Sequence, residues 1–181
     1  MKQYASDIAF TNSVKSIQLR HGSRGSYARV EKEWWPDHIT PALADFISQR
    51  DSIYMATVNI DGFPYIQHRG GAKGFLKVLD DHTLGFADFR GNRQYISYGN
   101  LEDNNKVSLF LMDYPNRIRI KIWGTAKVIE DDQELINKLS VSDYKGKVER
   151  AFIIRVETWD KNCPQHIISR YTLEEMTELV E

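Results

Sequence analysis

With 181 residues, 41% of them hydrophobic, and 24 Lys+Arg against 25 Asp+Glu, the chain is long enough for one domain with a substantial core and is almost neutral. Balanced charge excludes a global attraction to nucleic acid or an anionic membrane surface, so any affinity for anions has to be local. The single cysteine, Cys163, excludes an intrachain disulfide, no apolar run approaches membrane-spanning length, and Met1 to Asp7 lack the apolar core of a signal peptide, so a cytoplasmic protein is expected.

Residues 1–39 are polar and irregular in pattern. Thr11 is a suitable N-cap for a short helix carrying Val14, Ile17 and Gln18, which the glycines of His21-Gly22-Ser23-Arg24-Gly25 should stop. Trp34-Trp35-Pro36 reads as an aromatic anchor, and Thr40-Pro41 opens a helix with Leu43, Phe46 and Ile47 on one side. From Ser52 the period changes to that of strands. Ile53–Ile60 is followed by an Asp61-Gly62 turn, and Tyr65–Arg69 pairs back. Phe75–Leu79 and Thr83–Ala87 form a hairpin about Asp80-Asp81, and a helix is expected from Arg93 to about Leu101. Val107–Met112 and Ile118–Ile129 are two further strands, Asp131–Leu139 a helix, Ala151–Trp159 a last strand and Leu173–Val180 a terminal helix.

Six or seven strands with short turns and brief helices predict a mainly β fold, a closed or partly closed barrel. The βαβ rhythm is missing, so the glycines near residue 70 are not a dinucleotide fingerprint.

Two segments carry the chemistry. In Arg90-Gly91-Asn92-Arg93-Gln94, Asn92 is an acceptable N-cap, and the first amides of the expected helix with Arg93 would form an anion site. A solvated loop with a cap accounts for the same residues. In Gln67-His68-Arg69-Gly70-Gly71-Ala72-Lys73-Gly74-Phe75, glycines within a strand-like run mark a bulge or a close backbone approach, and Arg69 and Lys73 would face what approaches. A plain hairpin loop is the alternative. Arg117 to Trp123 alternates, with Ile118, Ile120 and Ile122 inward and Arg117, Arg119, Lys121 and Trp123 outward. That pattern suits a wet sheet face, an anion site or a partner surface. Cys163 and His166 are too few ligands for a metal, so no metal site is expected.

Together these pieces resemble the pyridoxamine 5'-phosphate oxidase family, the FMN-binding split-barrel flavoproteins, over roughly residues 40–159. Tyr65–Gly71, Gly91-Asn92-Arg93, Phe110–Asn116 and Asn162–His166 are similar to segments of its flavin-nucleotide-binding members. The resemblance implies one split-barrel domain spanning residues 1–181, with a helical extension over residues 1–50, and FMN at the interface of a homodimer. It assigns cofactor contacts to Gln67, His68, Arg69, Gly70, Gly71, Lys73, Phe86 and Ala87, and the phosphate to Asn92-Arg93 or Arg93-Gln94. Arg119 stands where the family carries a glutamine contributed across the dimer. The implied activity is an FMN-dependent oxidoreductase acting on a small molecule, with Arg69 or Lys73 stabilising reduced flavin and His166 as a catalytic proton donor. A flavin carrier or sensor without turnover is the alternative, as is a haem binder on the same barrel. The arrangement of Trp159, Gln165, His166 and Arg170 departs from the family's substrate-gripping tail, so the pyridoxal-forming activity is not carried over.

Overall fold

The computed structural model describes residues 4–141, 144 and 146–180, and Met1, Lys2 and Gln3 of the expected non-signal N-terminus lie outside them. Seven antiparallel strands form one sheet: β1 (Ser52–Val58), β2 (Pro64–Gly70), β3 (Lys77–Val78), β4 (Thr83–Phe89), β5 (Lys106–Asp113), β6 (Ile118–Ile129) and β7 (Val148–Asn162). They lie in the order β2-β1-β5-β6-β7-β4-β3. Strand β5 shows why the sheet forms: Val107, Leu109 and Leu111 alternate into the core while Ser108, Phe110 and Met112 stay partly exposed. Ile53 and Met55, Ile120 and Ile122, Phe152, Ile154 and Val156, and Leu84 and Phe86 complete one inner cluster.

Among the described residues a short 3-10 turn (Ala5–Ile8) and three α-helices precede the sheet: α1 (Asn12–Arg20), α2 (Arg24–Glu33) and α3 (Pro41–Ser48). Thr11 caps α1, its hydroxyl accepting from Val14 N at 3.3 Å, and Gly22 beyond its end takes φ 75°. Helix α2 is not expected from the hydrophobic pattern, because charge holds it. The buried Glu31 carboxylate receives Arg24 and, at 3.2 Å, Lys15, which also reaches Asp7 at 2.5 Å. Trp35 follows, buried and stacked on Trp123 of β6 with ring centroids 5.4 Å apart. Thr158 and Trp159 on β7 donate to the carbonyls of Pro36 and His38, both at 2.9 Å. The anchor is thus Trp35, while Trp34 stays exposed. Helix α3 begins as expected, Thr40 capping and Pro41 in the first turn, and buries Leu43 and Ile47.

After β4 come α4 (Ile96–Asp103), α5 (Gln133–Leu139) and, at the C-terminal end, α6 (Leu173–Val180). Helix α5 lays Ile136 and Leu139 on Ala87 and Ala151, so β4 is covered on both faces and buries five residues in a row, Leu84–Asp88. The expected strand Phe75–Leu79 shortens to Lys77–Val78, because Phe75 and Leu76 turn into the core. No helix among the described residues is long and apolar enough to cross a membrane.

Candidate functional site

The strand order puts β2 at one end of the sheet and β3–β4 at the other. The sheet curls until these ends face each other, yet among the described residues no backbone ladder joins β2 to β4. Side chains bridge the gap instead. Arg69 of β2 donates from Nη1 to Asp88 of β4, and its guanidinium stacks over the Phe152 ring at 4.8 Å. Both ends of this pair are mostly buried, the side chains 14% and 11% exposed. Burial pushes the Asp88 carboxyl above its ordinary range, against the opposing pull of Arg69 and Arg150.

A polar cavity of about 110 Å³ opens beside this bridge, lined among others by Gln67, Arg69, Asn92, Arg93, Gln94 and Arg150. Gln67 is fixed by Ser97 of α4, whose hydroxyl donates to Oε1 at 2.9 Å. The cavity wall carries three arginines, Arg69, Arg93 and Arg150, against two carboxylates, Asp88 and Glu149, an excess of one positive charge. Arg69 Nε is buried there without a hydrogen-bond partner. An orphaned guanidinium donor beside a net positive wall fits the phosphate of a flavin nucleotide, so the residues present suit the group that the sequence resemblance implies.

The helix beyond this loop starts later than expected. Helix α4 begins at Ile96, and its N-cap is Tyr95 in the left-handed region at φ 54°. Asn92 is therefore not the cap; its Oδ1 accepts from Gln94 N at 3.2 Å in a local turn, and Arg93 also takes a left-handed φ of 57°. The loop spends its residues on the turn before the helix, a length that no helix-start signal in the sequence reveals.

The other expected contacts are divided. His68, Gly70, Phe86 and Ala87 line a second cavity of about 130 Å³ that shares Arg69, Asp88 and Phe89 with the first. Gly71 and Lys73 lie in a wider cleft under α6, and Arg119 and His166 line a fourth cavity with Tyr54 and Phe110. Within one chain, His166 and the Arg93 cavity thus share no lining residue. His166 is exposed, at φ 63° in the turn after Pro164. Two of the three glycines, Gly71 and Gly74, shape the chain's own turn. A Cβ on Gly71 would meet Phe75 Cβ at 2.8 Å, and Gly74 takes φ 77° with Ser48 O 3.0 Å from where its Cβ would stand. Arg150, at the start of β7, was not expected in the site. In the sequence it is one of several charges in β7 (Glu149, Arg155, Glu157, Asp160 and Lys161 among them), so nothing local singles it out.

The molecule is an antiparallel split barrel with an arginine-lined cavity at its open seam. The family model of pyridoxamine 5'-phosphate oxidase matches residues 39–168, and the chain belongs to that family. No curated protein matches it. Among solved structures, HupZ of Group A Streptococcus is 23% identical, with 74% of this chain and 99% of that one covered and a TM-score of 0.56. A putative pyridoxamine 5'-phosphate oxidase of Lactobacillus delbrueckii is 22% identical, covering 68% and 94%, with a TM-score of 0.54. An FMN-binding protein of Syntrophomonas wolfei is 13% identical, covering 81% and 97%, with a TM-score of 0.55. At these identities the likeness establishes the shared split-barrel fold.

Proposed function

We propose that the protein is an FMN-binding flavoprotein, an oxidoreductase on a small substrate, with the FMN phosphate in the seam cavity. One observation carries this reading: residues from β2 and from the loop at 91–94, far apart in sequence, converge with an excess of arginine on one small polar cavity. The FMN-binding protein of Syntrophomonas wolfei, which shares the fold, supports the same cofactor. Bound FMN would supply the hydride or electron transfer, while Gln67, Arg69 and Arg93 hold the phosphate end and β2 guides the ribityl chain towards Gly70. The narrow polar cavity favours a phosphate over a haem, which needs a wide apolar slot and an axial ligand.

Released ligand from the purified protein should be FMN by absorption and mass; stoichiometric FAD would refute the reading. Arg93 is exposed at the mouth of the cavity, so Arg93→Ala should leave the fold intact and weaken FMN binding by about 1.5–3 kcal/mol, the range for a hydrogen bond to a charged group. Flavin retained through dialysis at the wild-type level would remove Arg93 from the site.

The proposed assembly is a homodimer that covers the outer sheet face. Tyr54 pairs in register with Phe110, exposed Ile66 lies opposite Ala56, and α6 leaves Leu173, Met176 and Leu179 exposed. Trp123, expected on this face, is instead covered by Trp35 of the same chain. Sedimentation at micromolar concentration should give twice the chain mass, and a monomer would count against the assembly. In the dimer, Arg119 and His166 are offered to the partner's cofactor, which would reunite the divided contacts.

A further inference from the structure

We infer that Arg150 is the residue that reads the anionic end of the ligand, making the seam cavity selective for a phosphorylated flavin over the same flavin without phosphate. The inference rests on the FMN reading and adds to it a specificity determinant. Three cations line the cavity, and they are not equivalent. Arg69 is engaged by Asp88 through Nη1 and by stacking on Phe152. Arg93 is exposed, so its side chain must be ordered when a ligand binds, at an entropic cost.

Arg150 is already ordered. Its side chain is only 8% exposed, and its guanidinium lies over the rings of Tyr95 at 5.0 Å and Tyr98 at 5.3 Å. Nη2 donates to Glu149 Oε2 at 3.0 Å, which fixes the plane. Nη1 stands 3.9 Å from Asp88 Oδ2, too far for a hydrogen bond. Nε lies 2.9 Å from Glu130 Oε1 but off the hydrogen-bond direction, and it has no hydrogen-bond partner. A buried, stacked guanidinium with donors left over is arranged to meet an oxyanion with little loss of side-chain freedom. Glu130 and Glu149 already answer its charge, so a neutral hydroxyl in the same place would forgo only the charge-assisted hydrogen bond that a phosphate oxygen accepts. Arg150 therefore supplies the pre-ordered contact that tells phosphate from hydroxyl, and Arg93 adds to it once its side chain is ordered.

The test titrates apo protein with FMN and with riboflavin, following flavin fluorescence, in the wild type, Arg150→Lys and Arg150→Met. Lysine keeps the charge beside Glu130 and Glu149 but loses the planar fork, so this variant separates anion reading from fold, with thermal melts recorded alongside. The wild type should prefer FMN. In Arg150→Lys that preference should shrink by about tenfold to a hundredfold, riboflavin affinity staying within about twofold. In a folded Arg150→Met it should shrink at least as far. An FMN-to-riboflavin ratio unchanged in Arg150→Lys, or equal losses for both ligands, would overturn the role of Arg150 while leaving FMN binding intact. A wild type that binds neither flavin would instead sink the FMN reading, and this inference with it.

Discussion

Asp88→Ala should destabilise the protein by about 3–5 kcal/mol, the usual cost of breaking a buried ion pair by removing one partner. For a chain of this length that is a fall in Tm of roughly 6–20 °C. Asp88 is the acceptor for Arg69 across the one gap in the barrel that no backbone ladder closes. Alanine would leave the Arg69 guanidinium buried against Phe152 with no carboxylate beside it. Asp88→Asn keeps an acceptor oxygen and should cost less than Asp88→Ala. The two variants also separate charge from hydrogen bonding through pH. Because burial raises the Asp88 pKa in the folded chain, the folded state holds its proton more tightly than the unfolded state does. The titration-linked part of the stability is therefore largest below the ordinary aspartate value of about 4 and declines as pH rises through the raised folded value. Asp88→Asn cannot titrate, so its stability relative to the wild type should increase across that window. Denaturant melts at a series of pH values check both points, and parallel curves for the wild type and Asp88→Asn would contradict the second.

Gly124→Ala should cost about 3 kcal/mol, or abolish folding, although the residue touches no ligand cavity. A Cβ there would stand 2.1 Å from Arg155 O and 3.0 Å from the carbonyl carbon. Those are backbone atoms of the paired strand, so no rotamer change relieves the clash. The position follows Trp123 where the register between β6 and β7 slips, and the strand bends. The extra residue of this bulge is Glu157 on β7, while β6 keeps its alternation, with Trp123 outward against Trp35 and Ala126 in the core. A fall in Tm below about 3 °C in a purified Gly124→Ala protein would show that the bulge relaxes more easily than its backbone contacts imply.

Much of the sheet was legible in the sequence because burial on one face imposes a period of two. The alternation of Val107, Leu109 and Leu111, the Asp61-Gly62 turn and the Thr40-Pro41 helix start all mark where elements begin and face. The resemblance of Tyr65–Gly71, Gly91–Arg93 and Asn162–His166 to family segments pointed to the split barrel, and the family match over residues 39–168 agrees. Helix α2 was not legible, because its stability comes from Glu31 meeting Lys15 and Arg24, contacts that leave no hydrophobic period. The late start of α4 was hidden for a similar reason: Arg93 and Tyr95 take left-handed φ values that tertiary packing, not residue type, imposes.

For the site, the sequence by itself singled out the β2 strand and the loop at 91–94, since cations beside glycines are an uneven distribution of charge that a short window reveals. Only the tertiary structure decided what these residues do together. It committed Arg69 to Asp88, used Gly71 and Gly74 for the chain's own turn, and placed Arg150 in the cavity from the start of the last strand. The physical reason is that a local pattern reports burial and turn geometry. Which charges neutralise one another depends instead on how the two ends of a curled sheet meet, and Asp88 and Arg150 become neighbours only when β4 pairs with β7.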